Sequence, residues 1–108
     1  MIAYDISEVM QMFDDPRDEI IGVTLNDKAQ LVMRVCFEHV AVEGVTHVVL
    51  EKIAHEIDRI SKQKGISDDA LASNAMKIFT VFKLLTFTPE LLEKLDEELE
   101  ALRESKRR

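Results

Sequence analysis

The chain has 108 residues, 46% of them apolar and 32% charged, the composition of one globular domain rather than of a disordered chain. A single cysteine excludes an internal disulfide, and three glycines with two prolines suit helices with short connections better than a turn-rich sandwich. The formal charge is −7; residues 103–108 hold four cations and one anion, so residues 1–102 carry −10 and repel phosphate backbones at long range.

The N-terminal segment predicts a short helix. Asp5 can cap it with Glu8 reaching back, and Tyr4 and Val9 form the accompanying hydrophobic staple. Val9, Met10 and Phe13 give the helix an apolar side before Asp14-Asp15-Pro16 breaks it, and Pro16 can itself start a further short helix. From Ile20 to Val49 the sequence is valine-rich and admits two readings. Asp27, Gln30, Arg34 and Glu38 recur at helical steps and form one polar line. With Asn26 as N-cap and Gly44 as the C′ glycine, they predict a helix from Asp27 to about Glu43. The alternative is an α+β fold with an N-terminal β-hairpin from Glu19 to about Val42.

Thr46 caps the next predicted helix. Val49, Leu50, Ile53, Ile57 and Ile60 gather on one side of it and His47, Glu51, His55, Asp58 and Lys62 on the other; Gly65 ends it. Ser67-Asp68-Asp69 opens a helix running to Phe87 that is apolar over most of its circumference, Val81 included, with Ser73, Lys77 and Thr80 as its polar strip. Such a helix belongs at the centre of the molecule. Thr88-Pro89-Glu90 then opens the last helix, whose stripe is Leu91, Leu92, Leu95, Leu99 and Leu102. Together these elements predict an all-α bundle of four main helices plus a short N-terminal piece, a single domain over residues 1–108 with 103–108 a frayed basic tail.

Chemistry is sparse. Glu51 with His55, and His55 with Asp58, share a helix face and are weak metal-ligand candidates. His47 and His55 stand about 12 Å apart along the axis, too far to hold one zinc ion together. The same line, opposite the apolar stripe, reads more simply as a solvated face. Cys36 lies in an apolar stretch and reads as a buried, inert thiol; His39, three residues on, is no more than a conceivable partner. Gly-rich phosphate loops, C-x-x-C, G-x-S-x-G and HExxH are all missing, so the sequence predicts no catalytic residue and no cofactor.

Two features suit binding. The leucines of the last helix could form a seam within the bundle or meet a partner helix, in an antiparallel homodimer for example. The tail Arg103–Arg108 could touch phosphate, although no aromatic side chain is interleaved for base stacking. The Gly65-Ile66-Ser67 turn has the outline of a helix-turn-helix, but Asp68 and Asp69 put the wrong charge at the tip of its second helix. The N-terminus lacks the basic start and apolar run of a signal peptide, and Lys77 and Lys83 interrupt the most apolar segment. The expectation is a cytoplasmic, non-enzymatic interaction module, a small acidic adaptor, inhibitor or assembly factor that binds protein through Leu91, Leu92, Leu95, Leu99 and Leu102. A metal-binding protein or metalloenzyme using Glu51 and His55, and a nucleic-acid accessory protein using the basic tail, are the alternatives.

Overall fold

The computed structural model describes residues 3–13 and 22–107. Their order is β1 (Ala3–Asp5), α1 (Ile6–Met12), α2 (Asp27–Glu38), β2 (Gly44–Thr46), α3 (His47–Ser61), α4 (Asp68–Val81) and α5 (Pro89–Lys106). The fold is a helical bundle with one small antiparallel sheet. The further helix expected at Pro16 lies outside the described residues.

Each helix starts where a side-chain oxygen satisfies an orphan amide of the first turn. Asp5 accepts from the Glu8 amide, Asn26 from Ala29, Thr46 from Val49, Ser67 from Ala70 and Thr88 from Leu91. These short polar residues outside the helix bond local amides more readily than they favour helix interiors, which makes helix starts legible.

Helix ends depart from expectation more often. α2 stops at Glu38 rather than near Glu43, and the His39 ring turns back onto the Val35 carbonyl at 2.8 Å. Gly44 is therefore not a helix terminator. It pairs with Asp5 in the β1–β2 ladder, where a Cβ would lie 2.6 Å from the Tyr4 carbonyl oxygen, so only glycine permits that approach. The hairpin considered over 19–42 is excluded in its second half by α2, and the observed sheet joins residues 3–5 to 44–46 instead. α4 ends at Val81 rather than Phe87, because Lys83 takes a left-handed conformation (φ 60°) and the Leu84 amide returns to the Phe79 carbonyl.

The hub is α2. It packs against α1, α3, α4 and α5, whereas α4, expected at the centre, touches α2, α3 and α5. Burial explains this: Ala29, Val32, Met33, Val35, Cys36 and Phe37 are all core residues, leaving α2 only a narrow polar line. Phe37 meets Phe79 edge-on at 4.8 Å between centroids and Phe13 at 6.1 Å, tying α2 to α4 and to the end of α1.

The last helix folds back onto its own bundle. Leu91, Leu95 and Leu99 are buried against the core, and Leu92 and Leu102 are half-buried. Each buried leucine contributes about 1.5–3 kcal/mol as an upper bound, so undocking α5 would cost several kcal/mol. The tail expected to fray from Arg103 instead continues α5 through Lys106. Ion pairs hold it there: Arg103 reaches Asp68, and Lys106 lies 2.8 Å from Asp27.

Candidate functional site

The polar residues are largely engaged with one another. At the start of α4, Asp68 accepts from Lys28 of α2 at 2.7 Å and from Arg103 of α5, joining three helices through one carboxylate. These two cations, Lys28 first, hold the Asp68 carboxyl below its ordinary 3.8. Beside it, Asp96 buries Oδ1 without a hydrogen-bond partner. Its pKa is raised by desolvation first and then by the Asp69 carboxylate. This end of the bundle is an internal clasp. It holds helices together and offers a ligand little.

The metal candidates are spread among separate contacts. Glu51 lies 3.4 Å from Nε2 of His47, whose Nδ1 is 3.0 Å from the Tyr4 hydroxyl. A neutral His47 with its proton on Nε2 can donate to Glu51 while accepting from Tyr4, and the three groups tie β1 to the first turn of α3. Asp58 holds Lys62 at 2.7 Å. His55 faces the Gly22 turn, its Nε2 3.9 Å from where a Cβ would stand there. Among the described residues, no three His, Cys, Asp or Glu side chains gather as metal ligands do. Cys36 and His39 do not pair either: the thiol is fully buried, which pushes it up to about 12, and the imidazole is exposed and bonded to the Val35 carbonyl.

The polar line of α2 borders a groove of 380 Å³ against α5, floored by Leu31, Val35 and Leu102. Ion pairs flank it: Asp27 with Lys106, and Glu38 with Lys94 at 4.0 Å. Arg34, also on this line, donates to the Phe13 carbonyl at 2.7 Å and so caps the end of α1. Of the five stripe leucines, only Leu92 and Leu102 keep any access to a partner. The described basic residues of the tail, Arg103, Lys106 and Arg107, are likewise occupied, Arg107 by Glu104 at 3.4 Å.

The other end of α4 is different. Val81 is 76% exposed and Phe87 39%, and with Lys77 and Thr80 they line a hollow of 460 Å³ that is almost wholly apolar. Adjoining it, a second hollow of 340 Å³ runs between α3 and α4 over Ile60, Ile78 and Phe82, with Glu56, Arg59 and Asn74 at its edge. Lys77 and Val81 line both. The early end of α4 creates this surface, since the turn at Lys83 leaves Val81 uncovered by the connection that follows.

Sequence reasoning placed Val81 with the core positions of α4. The contrary signal was there: Val81 stands four residues after Lys77 and so shares the line of the polar strip. Phe87 carried no such signal, because it lies in a connection whose path depends on the Lys83 turn.

Comparisons of the chain with protein-family models, with curated proteins and with solved structures found no match. Among the described residues, no helix is long and apolar enough to cross a membrane.

Proposed function

We propose that this protein is a non-enzymatic interaction module, and that it binds another protein through the α3–α4 face around Val81 and Phe87. The observation that carries this reading is the pair of exposed apolar side chains bracketing one continuous hollow. A lone exposed valine needs no explanation, but a large apolar side chain three-quarters exposed beside an exposed phenylalanine is how a docking surface begins. The leucines of α5 are a poorer anchor than the sequence suggests, because Leu91, Leu95 and Leu99 are already used inside the protein.

The test is a surface double variant, Val81→Asp with Phe87→Ser. Neither side chain is part of the buried core, so the circular dichroism spectrum and melting temperature are expected to hold. A protein that co-purifies with the wild type in native mass spectrometry is expected to be lost. Retention of that protein by the folded variant would refute the reading.

A further inference from the structure

We infer that the occupant of the α3–α4 face is an amphipathic helix with acidic residues flanking its apolar stripe, an inference that rests on the interaction reading above. Shape gives the first argument. The lining of the α4 side runs from Asn74 to Val81, two helical turns or about 10 Å, with Ile60 of α3 and Ile78 and Phe82 forming the floor. An apolar stripe repeating at i, i+4 and i+7 on a helix laid along this hollow meets that floor over the same length.

Charge gives the second. The edge carries Glu56, Arg59 and Lys77, and Arg59 already holds Glu56 at 2.7 Å. Lys77, which lines both hollows, is exposed and in no ion pair among the described residues. In a chain of net charge −7, both apolar hollows are thus bordered by an uncompensated cation, Lys77. The acidic body repels an acidic partner at long range, but at physiological salt that field decays over about 8 Å. At contact distance, Lys77 decides the sign. A basic helix would be drawn toward the molecule and then meet a like charge at the seat itself.

The probes are two stapled 14-residue helical peptides with the same leucine stripe, one flanked by glutamates and the other by lysines. Each is titrated into the full-length protein while backbone amide resonances are followed by NMR. The glutamate peptide is expected to shift the resonances of Arg59, Lys77, Val81 and Phe87, to bind about five- to tenfold more tightly than the lysine peptide, and to weaken with salt. Lys77→Glu, an exposed change, is expected to remove most of that preference while leaving the fold intact. Equal binding of the two peptides on this face would overturn the charge inference and leave the interaction reading standing. No shift at this face with either peptide would overturn both. Concentration-dependent shifts of the same residues without peptide would make a second copy of the chain the occupant and overturn the acidic-helix proposal.

Discussion

The two ends of α4 solve opposite problems. At its start, Ser67 caps the helix and Asp68 binds cations from α2 and α5, so that one carboxylate joins three elements. At its finish, Lys83 turns the chain in a left-handed conformation and Val81 and Phe87 are left facing outward, with Lys77 unpaired beside them. Polar residues do the closing and apolar residues are left open, the reverse of the usual arrangement in a small domain. The lesson is that a polar cluster here marks assembly of the fold, while the apolar surplus marks capacity for a partner.

The largest test of that contrast sets a docked leucine against the exposed valine. Leu99→Ala is expected to cost about 2–5 kcal/mol in urea unfolding, since Leu99 is fully buried on the inner face of α5. Val81→Ala should stay within about 0.5 kcal/mol of the wild type. Similar losses at the two positions would mean that the face around Val81 is part of the core.

Next in size is Gly44→Ala. The added Cβ would meet the Tyr4 carbonyl oxygen at 2.6 Å, so β1 must separate from β2 at a cost of about 1–3 kcal/mol. Tyr4 is the only tyrosine and there is no tryptophan, so its fluorescence reports directly on the loss of the His47 contact. An unchanged emission and an unchanged unfolding midpoint would show the ladder to be loose enough to admit a Cβ at position 44.

The clasp end predicts a pair of opposite pH effects. Asp68 is depressed by its cations, so its contribution is complete above pH about 4 and is lost as pH falls through its lowered folded value. Asp68→Asn should therefore destabilise the protein at pH 7, and the gap to the wild type should narrow in acid. Asp96 is raised by desolvation and by Asp69, so its ionised form is a penalty at neutral pH that disappears on protonation. Asp96→Asn should stabilise the protein at pH 7, with the advantage fading toward pH about 4. Thermal unfolding across that range checks both, and effects of the same sign would break the description of the clasp.

The smallest expected effect is at the open end. Lys83→Gly relieves the left-handed conformation, and after the added freedom of the unfolded chain about 0.5–1 kcal/mol of stabilisation should remain. A loss of stability there would show that the Lys83 side chain makes a contact worth more than the strain.

Helix starts were readable in the sequence because capping is a local transaction between neighbours: Asp5, Asn26, Thr46, Ser67 and Thr88 each bond an amide three residues on. The mainly helical class followed from those caps and from periodicity. Ends were less readable, since Gly44 looks the same whether it stops a helix or lets two strands approach. The clasp was hidden for a different reason. Lys28 and Arg103 stand 40 and 35 residues from Asp68, and only the docking of α2 and α5 brings them together. The leucine stripe was legible as a stripe, but the same pattern serves a core seam and a partner seam. Val81 was hidden in plain sight among apolar neighbours, on the line of Lys77.

The most direct test of the open-end account is site-selective photo-crosslinking in the cells that make this protein, with a photoreactive residue at position 81 or at position 97. Val81 lines the proposed seat, and Glu97 is an exposed residue of α5 outside it. One discrete protein adduct is predicted from position 81, absent from position 97 and lost when Lys77→Glu is added. No adduct from position 81, or the same adduct from both positions, would contradict it.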